Sequence, residues 1–163
     1  MLTTTAGVAP EIGGAALGVA LVLGIPQALV VPLIASRRGA TIPMLVVAAA
    51  CAVIGWGGML VAPGAAPLLW AFLIGSVTIV FPLSLLLVNT RTRDPRVTVS
   101  VSAFVQGTAY VTAGVFSLGM GVVHDLTGSW TVPLIVLIAS AALVLPAIVI
   151  LRHGRYVDDE LGR

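Results

Sequence analysis

Five long apolar runs, separated by short polar connections, dominate the pattern of this chain. They cover residues 12–36, 43–62, 66–90, 97–123 and 131–151, and none contains a charged side chain. As a helix rising about 1.5 Å per residue, each run is long enough to cross about 30 Å of hydrocarbon. Strands of a membrane barrel alternate polar and apolar residues, and these runs do not. The pattern therefore predicts an all-α bundle of five transmembrane spans over residues 1–151, followed by a polar tail over residues 152–163.

The connections carry residues that typically end or begin helices. The fourth is predicted to occupy residues 124–130, with Thr131 as the N-cap of the fifth helix. Prolines inside the spans remove backbone hydrogen bonds and predict kinks. These prolines are Pro26 and Pro32 in span 1, Pro82 in span 3 and Pro146 in span 5.

Composition places the whole chain in a membrane. Of the 163 residues, 59% are hydrophobic and 9% are charged, and the mean hydropathy is +1.15. A soluble domain carries about 25% charged residues, so no water-soluble fold could bury this much apolar surface. The isoelectric point near 9.3 comes from short arginine clusters between the spans, without the basic stripe of a nucleic-acid-binding protein. The lipid bilayer is therefore the first predicted partner, and nucleic acid is not one.

The arginines alternate between connections. They occur in the first and third connections and after span 5, whereas the N-terminal segment and the second and fourth connections have none. By the positive-inside rule, this predicts a multi-pass protein of the cell membrane with its N-terminus outside and its C-terminus in the cytoplasm. Trp56, Trp70 and Trp130 then lie near the outer interface, where they are predicted to act as anchors.

The polar residues within the spans exclude several kinds of chemistry. No Asp, Glu, Lys, Arg or His lies in the middle of a span, so the catalytic sets of intramembrane proteases are missing. A proton relay through a buried carboxylate or histidine is missing too. Cys51 stands alone in an apolar run and is read as a packed residue. We predict no enzyme activity, no metal site and no cofactor.

Spans 1, 3 and 4 each carry a stripe of small residues in line with neutral polar ones, placed at 100° per residue. The stripes contain Gly13, Ala16, Ala20, Gly24 and Gln27 in span 1, Gly75, Thr78, Pro82 and Asn89 in span 3, and Ala103, Gly107, Tyr110, Gly114, Ser117 and Gly121 in span 4, with Gln106 at its edge. Small residues allow helices to approach closely. An amide in hydrocarbon needs a hydrogen-bond partner or water. Gln27 and Gln106 are thus predicted to point into the bundle.

Two roles remain open for these amides: an interhelical hydrogen bond, or contact with a solute or a water-filled path. Asn89 lies close to the third connection, and helix capping is favoured there over a site. His124 and Asp125 form the acid–base pair nearest to a span. Capping of the helix end is favoured for this pair over a cation or proton site.

Segments of spans 1, 3 and 4 resemble the cyanate-permease branch of the major facilitator superfamily. Residues 103–110 (AFVQGTAY) and 121–130 (GVVHDLTGSW) are similar to its eleventh helix and the turn that follows. Residues 24–26 (GIP) and 32–39 (PLIASRRG) look like its eighth helix and a loop with a D-R-x-G-type motif, in which Ser36 replaces the usual acid. Residues 81–83 (FPL) resemble part of its tenth helix.

The resemblance implies that the five spans are the eighth to twelfth helices of a twelve-helix transporter. The chain would then be a partial C-terminal half of that fold, and the missing N-terminal helices would be a partner. Spans 1, 3 and 4 would line the cavity, with spans 2 and 5 facing lipid or giving support. The implied solute contacts are Gln27, Thr78, Gln106 and Tyr110, with Phe81 as a wall, and the implied gating loop is Arg37, Arg38 and Gly39.

Two functional hypotheses follow from this sequence. The first is a C-terminal fragment of a permease that moves a small polar or anionic solute by alternating access and is not competent alone. The second is a small membrane scaffold or accessory subunit that oligomerises through its glycine-rich helix faces.

Overall fold

A computed structural model describes residues 7–38 and 40–151, although the side chains of Arg37 and Arg38 fall outside that description. The predicted tail also lies outside the described residues. Every regular element in the described part is helical. The helices are α1 Pro10–Val22, α2 Gly24–Arg38, α3 Thr41–Val61, α4 Pro67–Ser76, α5 Val80–Arg91, α6 Pro95–Thr127, α7 Thr131–Ala142 and α8 Val144–Leu151, with a 3-10 turn at Val77–Ile79.

The helices of the described residues combine into five spans that are long and apolar enough to cross a membrane, which confirms the predicted fold class. Span 2 is α3 and span 4 is α6, whereas spans 1, 3 and 5 each contain two helices. Prolines start several of them, because proline fits the first turn, where its missing N–H is not needed. The spans are Pro10–Ser36, Thr41–Val61, Pro67–Arg91, Pro95–Thr127 and Thr131–Leu151.

Span 4 extends further than the sequence pattern predicts. His124 and Asp125 lie in its last turn instead of in a connection, so the expectation that they end the helix is wrong. The helix ends at Gly128, whose φ of 63° is accessible to glycine without steric cost and whose N–H donates to the His124 carbonyl oxygen at 2.8 Å. Thr131 is the first residue of α7 rather than its N-cap, which is Trp130.

Three spans are interrupted near the middle of their length. The interruptions lie at Leu23 in span 1, at Val77–Ile79 in span 3 and at Leu143 in span 5. A proline lies three residues after the end of each interruption, at Pro26, Pro82 and Pro146. Proline has no N–H, so the carbonyl four residues before it loses its helical donor and the chain tightens or bends there. Pro32, by contrast, lies within the continuous helix α2.

Spans 1, 3, 2 and 5 pack side by side in that order. Helix α1 packs along α4 and α2 along α5, so spans 1 and 3 run in the same direction, while α3 lies between α4 and α7. The contacts are made by small buried residues such as Ala16, Ala48 and Ala71. In lipid, such residues allow the close van der Waals contact that drives helix association. Span 2 therefore supports the bundle from its centre.

A buried apolar cluster joins spans 1, 2, 3 and 5 at the end of the bundle that carries the arginines. It consists of Val31, Ala35, Leu45, Leu83 and Ile148. Beside it, Arg91 Nη2 donates a hydrogen bond to the Leu151 carbonyl oxygen at 2.9 Å. This bond connects the last turn of span 3 to Leu151 in span 5.

Span 4 stands apart from the packed spans. Its main contacts are with α5 and α7, its neighbours along the chain, and no residue of its most apolar window is buried among the described residues. A groove of about 410 Å³ separates its C-terminal half from spans 2 and 5. The lining includes Trp56, Met59, Phe116, Met120, Trp130 and Leu134.

Candidate functional site

Gln27 and Thr78, both predicted solute contacts, lie against each other between spans 1 and 3. The Thr78 hydroxyl is within hydrogen-bond distance of Gln27 Oε1, and it also lies 2.7 Å from the Gly75 carbonyl oxygen. Gln27 Nε2 is 3.5 Å from that same carbonyl, at the outer limit for a hydrogen bond. The interhelical hydrogen bond, one of the two roles left open for Gln27, is therefore confirmed, and solute contact stays a prediction.

Close approach of the two backbones brings this pair together. Gly75 is buried against span 1, and a Cβ atom added there would lie 2.8 Å from Ala20 Cα and 2.9 Å from the Ala20 carbonyl oxygen. Only glycine allows such an approach. Ala20 and Gln27 belong to the stripe of span 1, and Gly75 and Thr78 to that of span 3. These two stripes therefore face each other, as residues predicted to point into the bundle should.

The Gln27–Thr78 pair lies at an open edge of this contact. Thr78 is exposed and Gln27 is half-buried. Phe81, one helical turn beyond Thr78, is 50% exposed, while the next two residues, Pro82 and Leu83, are buried. Thr78 and Phe81 thus lie on one uncovered face of span 3, and the role of Phe81 as a wall stays a prediction.

Gln106 and Tyr110 lie on the uncovered span 4. Gln106 is half-buried and Tyr110 is 64% exposed. Within residues 7–38 and 40–151, neither side chain has a hydrogen-bond partner, and no bond joins them to Gln27 or Thr78. A Cβ atom added at Gly107 or Gly114 would meet nothing within 4 Å. Around Gly107 and Gly114, the small-residue stripe of span 4 therefore meets no other helix of the described chain.

The amides and the threonine hydroxyl lie at similar depths along their spans. Counted from the arginine-bearing ends, Gln27 is nine residues from Ser36, Gln106 eleven from Pro95 and Thr78 thirteen from Arg91. At about 1.5 Å per residue these separations are roughly 14 to 20 Å, close to the middle of about 30 Å of hydrocarbon. Polar groups at that depth need partners, because lipid supplies none.

The predicted gating loop falls largely outside the description. The backbone of Arg37 and Arg38 ends helix α2, and Gly39 is not among the described residues. Ser36, at the position where the resembling family has an acid, bonds back to the Leu33 carbonyl oxygen at 3.2 Å. The role of this loop stays a prediction.

Two other polar positions have local roles. Asn89 Nδ2 donates to the Leu85 carbonyl oxygen at 2.9 Å, a bond within its own helix. The His124 ring stacks on Trp130 with 4.1 Å between centroids, which holds the end of α6 against the start of α7. No three His, Cys, Asp or Glu side chains in the described part lie close enough together to hold a metal ion.

One structural connection had no counterpart in the sequence pattern. Arg91 reaches across to span 5, whereas all the arginines were read only as markers of the cytoplasmic side. The position of Arg91 in the last turn of a helix could have suggested such a bond, since an arginine there can reach exposed carbonyls nearby. The position of its target, Leu151, could be known only from the fold.

Comparisons with protein-family models, with curated proteins and with solved structures find no match to this chain. Its membership of any family is therefore not shown, and the resemblance to the permeases rests on the segments quoted above. The five apolar spans establish a multi-span membrane protein in contact with lipid.

Proposed function

We propose that this chain is the C-terminal part of a permease that moves a small polar or anionic solute across the membrane. Gln27, Thr78, Gln106 and Tyr110 supply the polar contacts, and Phe81 forms a wall of the path. Neutral amides and hydroxyls can replace part of a solute's hydration shell without holding the solute too tightly to release it. The described spans alone form an incomplete path.

The single observation that carries the proposal is the uncovered face of span 4. Gln106 and Tyr110 are placed at membrane depth without hydrogen-bond partners in the described part of the chain, and Gly107 and Gly114 leave space beside them. Leaving a polar group unpaired in hydrocarbon costs about 2 to 7 kcal/mol. Water, a solute or further helices must therefore cover this face in the assembled protein.

The interrupted spans agree with a protein that changes shape. Spans 1 and 3 both break near the middle, and their breaks adjoin the Gln27–Thr78 pair. Irregular backbone at membrane depth is tolerated where it is buried in protein or lines a water-filled path. A permease that opens alternately to each side can use such points to bend.

The resemblance to the cyanate-permease branch supports an orientation in the membrane and a partner for this chain. In that arrangement the C-terminus is cytoplasmic, and helices preceding span 1 complete the cavity. The alternation of arginines predicts the same orientation from separate residues. Together they support the missing N-terminal helices as the surface that covers span 4.

Cysteine accessibility in native membranes tests the path directly. In a Cys51→Ala background, we expect Tyr110→Cys to react with a water-soluble maleimide at least about tenfold faster than Val111→Cys, its lipid-facing neighbour. Tyr110 and Val111 are exposed to similar extents, 64% and 68%, so the described chain alone does not separate them. Equal rates at the two positions contradict a solute path along the face that carries Gln106.

Uptake by the purified chain tests its predicted insufficiency. In liposomes, we expect no more uptake of formate, acetate or urea than in protein-free vesicles, because half of the path is missing. A Gln106→Ala variant should then be indistinguishable from the parent chain. Measurable uptake that Gln106→Ala abolishes would show that the chain transports alone.

A scaffold that oligomerises through span 4 is the second candidate. It is favoured by the open space at Gly107, Gly114 and Gly121, where another helix could approach closely. A defined homo-oligomer in detergent, with low reactivity of Tyr110→Cys and a disulfide between Gly107→Cys chains, supports this candidate. A monomer with a reactive Tyr110→Cys supports the permease.

A further inference from the structure

We propose that the interruptions of spans 1 and 3 form one coupled hinge, closed by the hydrogen bond between Thr78 and Gln27. In this arrangement the two spans bend together and not independently. The proposal concerns the mechanics of the two spans and does not require that either residue contact a solute.

The first support is that the two weak points are neighbours in space. Span 1 breaks at Leu23, and span 3 breaks at Val77–Ile79. A Cβ atom added at Gly75 would lie 3.0 Å from Leu23 Cδ1 as well as against the Ala20 backbone. Gly75, two residues before the break in span 3, therefore packs on the break in span 1, and we expect a bend in either span to move the other.

The second support is the backbone itself. Pro26 leaves the Val22 carbonyl without its helical donor, and Pro82 does the same for the Thr78 carbonyl. The bonds that remain around the first break are long: Leu23 N lies 3.3 Å from Val19 O, and Gln27 N lies 3.4 Å from Leu23 O. Fewer and longer bonds make these points easier to bend than the rest of each span.

The third support is that the Thr78 hydroxyl has two acceptors but only one proton. It lies 2.7 Å from the Gly75 carbonyl oxygen in its own span, and within hydrogen-bond distance of Gln27 Oε1 in span 1. Donation to Gln27 joins the two spans. When they part, the hydroxyl turns to Gly75 and remains satisfied, so opening leaves no unpaired donor on span 3.

Span 5 provides an internal comparison. It breaks at Leu143 before Pro146, but its nearby hydroxyl, Ser140 Oγ, bonds to the Leu137 carbonyl oxygen of the same span at 2.7 Å. No polar bond within the described residues links this break to another span. The coupling is therefore specific to spans 1 and 3, and the span 5 break should respond to neither Gln27 nor Thr78.

Hydrogen–deuterium exchange of the purified chain in lipid nanodiscs tests the coupling. We expect Thr78→Val to raise the rate of amide exchange around Leu23, in the other span, by about threefold. That is the change expected when an average interhelical hydrogen bond is lost. Gln27→Leu should raise exchange at Val77–Ile79 by at least as much, because it also removes the contact from Gln27 Nε2 to the Gly75 carbonyl oxygen. Thr78→Ser keeps the hydroxyl, so its amide exchange rates at both breaks should equal those of the parent chain.

Two matched controls separate coupling from simple loss of a polar group. Ser76→Ala removes a hydroxyl that bonds only within span 3, to the Phe72 carbonyl oxygen at 2.8 Å. Gln106→Leu removes an amide that lies on span 4. Neither change should alter exchange around Leu23.

The result that supports the hinge is faster exchange at both breaks in either variant, with α7 and α8 unchanged. Faster exchange only in the span that carries the substitution overturns the coupling. A rise throughout the chain, including span 5, also overturns it, because the bond then stabilises the whole bundle. The solute path is tested separately by cysteine accessibility, so either proposal can fail alone.

Discussion

Gly75→Ala is expected to lower the free energy of unfolding by about 1 to 3 kcal/mol relative to a matched Gly18→Ala variant. The added methyl group would lie 2.8 Å from Ala20 Cα and 2.9 Å from the Ala20 carbonyl oxygen, which are backbone atoms that cannot rotate away. Relief requires spans 1 and 3 to move apart. That movement weakens the longest contact of the site, from Gln27 Nε2 to the Gly75 carbonyl oxygen at 3.5 Å.

Gly18 is the appropriate control because it also lies within a helix, in span 1, and a Cβ atom there meets nothing within 4 Å. Both substitutions gain the higher helix propensity of alanine, about 1 kcal/mol, so their difference isolates the clash. Equilibrium unfolding of both variants in mixed micelles gives the comparison. Equal stabilities would mean that the two backbones are not in contact at Gly75.

The spans could be predicted from the sequence because their cause is local. Twenty or more apolar residues without a charge must form a helix in a membrane, whatever surrounds them. The ends of the spans are harder to predict, because a polar residue can continue a helix as well as end it. The sequence pattern places His124 and Asp125 in a connection, yet the helix continues through them and through two further residues. It ends at Gly128, which can adopt the left-handed conformation.

The facing stripes of spans 1 and 3 were partly predictable. Helical periodicity aligned Ala20 with Gln27 and Gly75 with Thr78, and each stripe was expected to face the interior. Periodicity describes one helix at a time, so it could not show that Thr78 would be the partner of Gln27. Pairing depends on the packing order of the spans, and that order is a property of the fold.

The small-residue stripe of span 4 shows that such a pattern alone does not identify a packing partner. Its small residues predict close packing as strongly as those of span 1 do. In span 1, Ala20 makes such a contact with Gly75, whereas a Cβ atom at Gly107 or Gly121 meets nothing in the described chain. A small-residue face indicates that a helix can be approached closely, and it does not identify the partner. The same pattern therefore found its partner in one span and not in the other.

Gly58→Ala is expected to disturb the turn between spans 2 and 3 and to cost about 1 to 3 kcal/mol relative to Gly57→Ala. A Cβ atom at Gly58 would lie within 2.6 Å of three ring atoms of Trp70. The ring is held in place, because Trp70 Nε1 donates to the Ala62 carbonyl oxygen at 3.0 Å. Moving the ring aside breaks that bond and exposes a carbonyl at the end of α3.

The adjacent Gly57 provides the control, since a Cβ atom there meets nothing within 4 Å and alanine should be neutral or slightly stabilising. The cause can be tested further in a Trp70→Leu background, which removes both the ring and its bond. If the ring causes the clash, Gly58→Ala should cost at least about 1 kcal/mol less in that background, a coupling typical of residues in direct contact. An unchanged cost there would place the cause in the α3 backbone instead of at the Trp70 ring.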